Sequence, residues 1–216
     1  MLQLIKDGTE LFRFIQNKNN PERVVIIPDT IKTLNPIAFS NKDATGVKMV
    51  YLPDSITEIP ARCFQGSTVL YVRTSPKLKQ IYDYAFDRCH NLTHIYVPDD
   101  CKLGTRRFDG SYLNGETVFS NCPSLRRYTP WIQYHATDKE LFILWQCANG
   151  ELHESTERDP ATFKPIEDKN LVSKGYYVIP RPKVTMYYRV IERIKPTSRI
   201  KDGIMPRTGI MVVKPD

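Results

Sequence analysis

The stretch that decides the fold is Ile56-Thr57-Glu58-Ile59-Pro60-Ala61-Arg62-Cys63-Phe64, because its apolar pattern recurs on both sides. An aliphatic residue is followed three positions later by a second aliphatic residue, and a phenylalanine stands five positions after that second residue. The same spacing occurs in Ile31-x-x-Leu34-x-x-x-x-Phe39 and in Leu78-x-x-Ile81-x-x-x-x-Phe86, so the phenylalanines lie 25 and 22 residues apart. A repeat length in the twenties is typical of a solenoid, in which each unit buries its apolar face against its neighbours.

A short run of β-branched or aromatic residues belongs to each unit. The runs are Val24-Val25-Ile26-Ile27-Pro28, Met49-Val50-Tyr51-Leu52-Pro53, Val69-Leu70-Tyr71-Val72 and His94-Ile95-Tyr96-Val97-Pro98. Such residues favour strands, and proline ends a strand because it cannot donate to the ladder. The segments between the runs are too long for hairpins, so we expect the four strands to pair in parallel. We also expect equivalent, buried positions for Phe39, Phe64, Phe86 and Phe119.

These motifs resemble the BspA-type leucine-rich repeat family, whose units have the form L-x-x-I-x-I-P-x-x-I-x-x-I-x-x-x-A-F-x-x-C. The matching pieces are Ile26-Ile27-Pro28 with Ala38-Phe39, Tyr51-Leu52-Pro53 with Cys63-Phe64, Ala85-Phe86 with Cys89-x-x-Leu92, and Val118-Phe119 with Cys122-x-x-Leu125. The resemblance covers residues 22–128 and implies a β-rich repeat solenoid of a few units with parallel strands. Members of this family serve cell-surface adhesion, host contact and general protein binding, so it also implies recognition rather than catalysis.

The sequence divides into three parts: an N-terminal cap (1–21), the solenoid (22–128) and a β-rich, basic C-terminal region (129–216). The cap supplies apolar surface from Leu2, Leu4, Ile5, Leu11, Phe12, Phe14 and Ile15. In the C-terminal region, apolar runs at 140–147, 176–179, 184–191 and 209–213 predict strands. Asn149-Gly150 indicates a hairpin, and the acidic stretch from Glu151 to Lys174 is expected to be an exposed connector. These strands either form a separate domain or pack on the last repeat and cover its open edge, the arrangement that we favour.

An insertion at residues 104–116 interrupts the array, because Phe86 and Phe119 are 33 residues apart. Insertions in solenoids emerge as loops, often on the binding face. This one carries Arg106, Arg107, Phe108 and Tyr112, residue types that are enriched in interface anchors. We therefore predict that these four residues bind a partner. The alternative is a solvated loop without a special role.

Three strand tyrosines, Tyr51, Tyr71 and Tyr96, occupy comparable places in successive units. Equivalent residues of a stacked array form a ladder on one surface. An exposed ladder would be a binding stripe, whereas a buried one would be ordinary core. The sequence leaves both interpretations open.

Charge is unevenly distributed in a chain of net charge +7. Residues 174–215 hold ten bases against Glu192 and Asp202, which gives this stretch a charge of about +8. A stretch of this charge attracts acidic surfaces, so we predict partner contacts there. Three acidic groups could pair with this basic stretch: the chain's own 151–168 segment, another protein or a nucleic acid. The predicted contact residues are Arg189, Arg193, Lys195, Arg199 and Lys201.

Motifs that carry catalytic or cofactor chemistry are absent from the sequence. It has no phosphate-cradling glycine loop, no G-x-S-x-G elbow and no H-E-x-x-H pair. The five cysteines are interpreted as small buried thiols of the repeats. A metal site at Cys89, His90 and His94 is not favoured, because no second ligand cluster with zinc spacing accompanies them. The prediction is a protein that is not an enzyme and needs no cofactor.

These observations favour a non-enzymatic interaction or structural module that presents a leucine-rich repeat surface to a protein partner. The second interpretation is a structural component of a virion or another large assembly, since a basic tail is usually ordered only by a partner. The third is nucleic-acid or polyanion binding through the basic stretch. No apolar run approaches the roughly 20 residues of a membrane span. Charge interrupts Met1–Gly8 too early for a secretory signal, which favours an intracellular or virion-associated protein over a secreted one.

Overall fold

The computed structural model describes residues 2–17, 19, 21–40, 44–105, 117–127, 131–146, 150–166, 175–193, 204–206, 208 and 210–215. At 126–127, 192–193 and 204–206 it describes the backbone alone. The chain divides into two compact units, Met1–Thr129 and Pro130–Asp216. Each unit has its own hydrophobic core and is treated by itself below.

The first unit is built from short strands. In chain order they are β1 (Leu2–Ile5), β2 (Glu10–Phe14), β3 (Val24–Ile26), β4 (Thr33–Leu34), β5 (Met49–Tyr51), β6 (Glu58–Ile59), β7 (Tyr71–Arg73), β8 (Gln80–Ile81), β9 (His94–Ile95), β10 (Lys102–Leu103) and β11 (Arg126–Arg127). One sheet has the order β11-β9-β7-β5-β3, a second β10-β8-β6 and a third β1-β2-β4. Every pair in the first two sheets is parallel. The parallel solenoid that the repeats predict is therefore confirmed.

The strand register places one aliphatic residue of each unit in the core. Val25, Val50 and Val72 are directly paired across β3, β5 and β7, and Ile95 continues the row on β9. All four side chains are at most 2% exposed. Each neighbouring side chain along a strand points to the opposite face, because side chains alternate. The pairing of these strands therefore places equivalent residues of successive units side by side in one buried row.

A stack of phenylalanine rings runs through the first unit. The centroids of Phe39 and Phe64 are 4.7 Å apart, those of Phe64 and Phe86 4.8 Å, and those of Phe86 and Phe119 5.4 Å. The rings are nearly parallel, with interplanar angles of 5°, 12° and 15°. All four are buried, which confirms the prediction for these positions. Phe14 extends the stack at its N-terminal end, 6.1 Å from Phe39.

The N-terminal hairpin adds this extra ring at the repeat distance, 25 residues before Phe39, but Lys6 and Thr9 stand where the other units have their aliphatic pair. β1 pairs antiparallel with β2, whereas β2 pairs in parallel with β4. Leu11 and Phe14 of β2 are fully buried, while Leu4 and Ile5 are 43% and 41% exposed. The hairpin therefore covers the first repeat with β2, and β1 forms the outer edge.

A small or β-branched residue precedes each of the four repeat phenylalanines, Phe39, Phe64, Phe86 and Phe119. Ala38, Cys63, Ala85 and Val118 are all fully buried. Burial raises the pKa of the Cys63 thiol well above its ordinary value. A buried neutral thiol behaves as a small apolar side chain, as the repeat pattern indicates for this position.

The second unit is all β apart from one helical turn among its described residues. Its strands are β12 (Trp131–Ala136), β13 (Glu140–Gln146), β14 (Gly150–Ser155), β15 (Lys164–Pro165), β16 (Tyr176–Pro180), β17 (Met186–Arg193), β18 (Ile204–Pro206) and β19 (Met211–Val213). The helical turn is a short 3-10 segment, Pro160–Thr162. Within the described ranges of the chain, no helix is long and apolar enough to cross a membrane.

Two antiparallel sheets make up the second unit. One has the order β12-β13-β16, and the other the order β15-β14-β17-β18 with β19 also paired to β17. Residues of both sheets share one core, including Ile143 and Trp145 of β13, Leu152 of β14, and Tyr188 and Val190 of β17. The four strands predicted from apolar runs are confirmed by β13, β16, β17 and β19.

Two predictions for the second unit are wrong. Asn149-Gly150 does not link a hairpin, because β13 and β14 lie in different sheets. The expected acidic connector begins instead with β14, which pairs with β17 over six residues. The physical reason is the same in both cases. Leu152 packs in the core on one face of β14, and pairing with β17 satisfies the backbone hydrogen bonds of β14. The acidic residues of this segment therefore lie within a strand and not in a connector.

Candidate protein-binding corner

The turn that carries each stacked phenylalanine is tied to the next coil by its backbone. We call this turn the Phe corner (residues 35–40, 60–67, 82–89 and 117–122). The Phe64 amide donates to the Ala85 carbonyl over 2.8 Å, and the Phe86 amide donates to the Val118 carbonyl over 2.9 Å. Because these bonds link successive coils, the outward-facing side chains of the Phe corner are held on a rigid support.

The residue two positions before the phenylalanine points outward in successive Phe corners. Ile37 is 36% exposed, Arg62 is exposed and Tyr84 is 41% exposed. The guanidinium of Arg62 lies over the ring of Tyr84, 6.0 Å from its centroid. We call these three residues the corner ridge. Arginine and tyrosine are among the residues that dominate protein interfaces.

Two residues of the corner ridge have left-handed backbone conformations. Arg62 has φ 63° and Tyr84 has φ 58°. A residue with a side chain pays about 1–2 kcal/mol for this conformation. The Tyr84 amide donates to the Thr117 carbonyl over 3.1 Å, and the Asp87 amide donates to the Tyr84 carbonyl over 3.1 Å, so the surrounding turn holds the tyrosine in place. Arg62 and Tyr84 occupy the same position of successive coils, so this conformation belongs to the turn geometry of the Phe corner.

A second left-handed position in the Phe corner is a structural requirement. It falls two residues after the phenylalanine, where Gly66, Arg88 and Asn121 have φ of 68°, 58° and 58°. Glycine adopts this conformation without strain, and asparagine tolerates it. Because the same position recurs in three coils, the turn geometry explains it without reference to a ligand.

Asp83 holds both ends of the insertion. Thr117 donates to its Oδ1 over 2.7 Å, and Thr105 donates to its Oδ2. Thr105 lies near the start of the insertion (104–116) and is the last described residue before position 106, and Thr117 is the first described residue after position 116. Both threonines are therefore bonded to one carboxylate, which directly precedes Tyr84 of the corner ridge in the sequence.

Asp87 connects three successive coils in the same part of the unit. Its side chain accepts hydrogen bonds from Ser120 at 2.6 Å, Gln65 at 2.9 Å and Asn121 at 3.2 Å. Burial alone would raise the pKa of Asp87, but these hydrogen bonds and the nearby Arg88 outweigh it and hold the pKa below its ordinary value. Asp87 is 6% exposed, so it braces the Phe corner and does not face a partner.

The predicted loop residues Arg106, Arg107, Phe108 and Tyr112 lie outside the described residues. Their binding role stays a prediction, while the described flanks show where the loop is attached. Asp83, Arg62 and Tyr84 were not singled out from the sequence. Their equivalent offset from the phenylalanine could have identified Arg62 and Tyr84, whereas the role of Asp83 depends on contacts across 22 and 34 positions.

Of the five predicted basic contact residues, the structure describes the side chain of Arg189 only. Arg189 is only 8% exposed, with its guanidinium 4.3 Å from the Phe163 ring centroid and a 2.8 Å hydrogen bond to the Pro160 carbonyl. Burial lowers its pKa. Arg193 is the last residue of β17 and is described by its backbone alone, and Lys195, Arg199 and Lys201 lie outside the described residues. Arg189 thus packs within the second unit, and a docking role for this stretch depends on the other four.

The strand tyrosines do not form one exposed stripe. Tyr51 is 2% exposed, and the guanidinium of Arg73 lies 4.9 Å from its ring centroid. Tyr71 and Tyr96 are half-buried, and Tyr71 stacks on His94 at 5.5 Å. Arg73 is itself 4% exposed and bonded to Asp54 at 2.8 Å. Tyr51 therefore belongs to the packed part of the sheet, and the three tyrosines do not form a continuous exposed binding stripe.

Cysteine and histidine positions provide no metal-binding group among the residues that the structure describes. Cys63 and Cys89 are buried, as the repeat pattern predicts, whereas Cys101 and Cys122 are only partly buried and Cys147 lies outside the described residues. The Cys89 thiol donates to the Phe64 carbonyl over 2.9 Å, and the Cys122 thiol donates to the Phe86 carbonyl over 3.0 Å. Burial raises the pKa of Cys101 to about 12. The thiols are thus used as core and turn residues.

Comparison with known proteins agrees with this architecture. The model of the BspA type leucine rich repeat region matches residues 15–129 in six copies, which is more than half of the chain. No curated protein matches the sequence significantly. The family match ends where the first unit ends, and the strand pairing and the phenylalanine stack are those of a repeat solenoid. The chain belongs to the BspA-type leucine-rich repeat family.

Proposed function

We propose that the first unit is a non-enzymatic protein-interaction module that binds its partner through the corner ridge and the adjacent insertion. Leucine-rich repeats generally mediate protein interactions, and the family match supports that general role. One observation carries the finer proposal. Asp83 fastens both ends of the insertion beside the exposed, strained Tyr84. A rigid support, an anchored loop and an exposed aromatic residue together form a suitable interface.

The charges at this corner favour an acidic protein surface as the partner. Arg62 is exposed, and the side chain of Arg88 is 70% exposed. The insertion sequence adds Arg106 and Arg107, whose charges are balanced by Asp109 and Glu116. Of the described carboxylates of the corner, Asp83 accepts hydrogen bonds from two threonines and Asp87 is buried, so the exposed charges of the corner are those of Arg62 and Arg88. Carboxylates on the partner would pair with these arginines, and the ring of Tyr84 would supply apolar contact area.

Site-specific photo-crosslinking tests this surface. The photoreactive residue p-benzoylphenylalanine is placed at position 84, and at position 77 as a control, in cells that produce the chain naturally. Lys77 is exposed but lies outside the Phe corner and the insertion. We expect a discrete crosslinked protein from position 84 and none from position 77. Equal labelling from both positions would contradict the proposed surface.

The partner identified in this way allows a quantitative test with purified proteins. Tyr84→Ala and Arg62→Glu should each weaken binding about tenfold or more, because anchor residues of an interface contribute more than about 1.4 kcal/mol. Lys77→Ala should bind like the wild type. Deletion of residues 106–116 should abolish binding if the insertion supplies the predicted arginine and aromatic contacts. Wild-type affinity of both the Tyr84→Ala variant and the deletion would exclude the corner as the binding surface.

We also propose a second, separate contact at the basic stretch of the second unit. It is supported by the sequence charge of about +8 over residues 174–215 and would suit an assembly such as a virion, or a polyanion. Reversal of Arg193, Lys195 and Arg199 to glutamate should weaken association with the native complex, most strongly at low ionic strength. A salt series with double-stranded and single-stranded DNA separates the polyanion role from a protein contact. Unchanged association of the triple variant in both assays would exclude this contact.

A further inference from the structure

A cavity in the second unit includes Arg181 and Lys214 of the basic stretch 174–215, but none of the five basic residues predicted above as contacts. It is formed where the end of β12, the residue after β16 and the region of β19 come together. Its lining includes Tyr134, His135, Arg181, Val212 and Lys214, and its volume is about 570 Å³. Ligand-binding pockets commonly have volumes of about 300–1,000 Å³. The cavity is therefore large enough for a small organic molecule.

The described lining of this cavity has basic residues and no acidic ones. The charged residues of the lining are Arg181 and Lys214, and the other lining residues are His135 and uncharged residues. A concave wall that carries charges of one sign concentrates the field and attracts ligands of the opposite sign. Arginine in particular matches the geometry of carboxylate and phosphate groups. The electrostatics favour an anionic ligand.

Arg181 is positioned by the turn between β12 and β13. Its backbone amide donates to the Lys139 carbonyl over 2.9 Å, and its side-chain Nη1 donates to the Thr137 carbonyl over 3.0 Å. Both ends of the residue are thus fixed to the same turn. A cation that is fixed in advance loses less freedom when it binds a ligand. Lys214 is exposed and adds a second cation, on a flexible stem, to the lining.

The uncharged part of the lining offers apolar surface. Tyr134 and Val212 are each 37% exposed, and Ala136 and Pro215 complete this part of the cavity. An aromatic ring or a branched aliphatic group could cover this surface, while the anionic group of the same molecule faces the basic residues. The combination is unlike a site for a bare inorganic ion.

We propose that this cavity binds a small organic anion, in which a phosphate or carboxylate group is attached to an aromatic or aliphatic body. The anionic group lies at Arg181 and Lys214, and the body packs on Tyr134 and Val212. This site is independent of the corner ridge and of the partner proposed for it. Either can be disproved without consequence for the other.

Titration of the full-length protein at low salt tests the site with four probes: phenyl phosphate, benzoate, inorganic phosphate and benzylamine. Binding is followed by NMR from the methyl signals of Val212 and Ala136 and measured by calorimetry. We expect saturable binding of phenyl phosphate, of benzoate or of both, and the tighter of the two identifies the anionic group. Inorganic phosphate should bind at least tenfold more weakly than phenyl phosphate, and benzylamine should not bind. Failure of both aromatic anions, or binding of benzylamine as tightly as benzoate, would overturn the proposal.

Variants locate the binding to this cavity. Lys214→Gln should weaken binding of the aromatic anion about tenfold or more, the usual effect of losing one hydrogen bond to a charged group. Arg181→Gln should have the same effect, and its thermal unfolding is measured in parallel because Arg181 also holds the turn. Lys183→Gln is the matched control, since Lys183 is an exposed cation of the same unit outside the lining. Equal loss in the control and in Lys214→Gln would show non-specific attraction and overturn the site.

Discussion

The hydroxyl of Thr117 donates to the carboxylate of Asp83 over 2.7 Å, although the two residues are 34 positions apart in the chain. This bond closes the insertion at the point where the repeat resumes. Phe119, two residues later, still stacks on Phe86 at 5.4 Å, so the extra residues do not interrupt the core. Closure entropy grows slowly with loop length, and each doubling costs only about 0.6 kcal/mol. The Asp83 carboxylate therefore adds to the backbone bonds from Tyr84 to Thr117 and from Phe86 to Val118, which keep the residues after the insertion in register with the stack.

Removal of this carboxylate should loosen the insertion. In Asp83→Ala, both threonine hydroxyls lose their acceptor, and we expect faster trypsin cleavage after Arg106 and Arg107. The measurement is limited proteolysis followed by mass spectrometry of the fragments. Asp99→Ala is the control, because Asp99 is an exposed turn residue outside this cluster. A cleavage rate at these arginines that is the same in Asp83→Ala as in the wild type would contradict the bracing role of Asp83.

Truncation of the central ring should destabilise the solenoid. Phe64 is fully buried and stacks on Phe39 and on Phe86, so Phe64→Ala leaves a cavity between two rings. We expect a loss of about 3–5 kcal/mol in the free energy of unfolding. Denaturant unfolding followed by circular dichroism measures it. Tyr84→Ala provides the comparison, since its exposed ring should contribute less than about 1 kcal/mol.

The lowered pKa of Asp87 predicts acid sensitivity of the first unit. The carboxyl has a lower pKa in the folded than in the unfolded chain, because the hydrogen bonds of Ser120, Gln65 and Asn121 favour the charged form. Its contribution to stability is fully present above the unfolded pKa of about 3.9 and is lost as the pH falls through the folded pKa. Asp87→Asn should therefore be less stable at pH 7, by about 1–3 kcal/mol.

The pH dependence distinguishes this effect from a general loss of packing. The stability difference between Asp87→Asn and the wild type should begin to shrink below about pH 4, where the carboxyl of the unfolded chain takes up a proton, and should continue to shrink as the pH falls through the lower pKa of the folded chain. Denaturant unfolding between pH 7 and pH 3 gives the two curves. A difference that stays constant over this range would show that the charge of Asp87 does not contribute.

Arg189 should contribute to the stability of the second unit. Arg189→Ala removes the cation over Phe163 and the hydrogen bond to the Pro160 carbonyl, and we expect a loss of about 2 kcal/mol. Thermal unfolding monitored by tryptophan fluorescence is suitable, because Trp131 and Trp145 both lie in this unit. The exposed Lys183→Ala should leave the transition unchanged. If both variants unfold alike, Arg189 has no special packing role.

The sequence by itself determined the parallel strands, the burial of Phe39, Phe64, Phe86 and Phe119, and the family. Each unit repeats the same apolar offsets, so a local pattern fixes both the strand and the residue that stacks on the next coil. The four apolar runs of the second unit likewise predicted β13, β16, β17 and β19. These features depend on burial periodicity, which is visible along the chain.

Only the tertiary structure decided which residues meet across long separations. Phe14 joins the ring stack from a hairpin that lacks the aliphatic pair of the repeats, and Asp83 binds threonines 22 and 34 positions away. The first part of the acidic stretch after Gly150 forms a central strand, β14, because it pairs with β17, which lies far away in the sequence. The cavity around Arg181 and Lys214 likewise depends on three segments that come together in space. Hydrogen-bonding capacity and charge are present in the sequence, but the chain's path determines which partner each group finds.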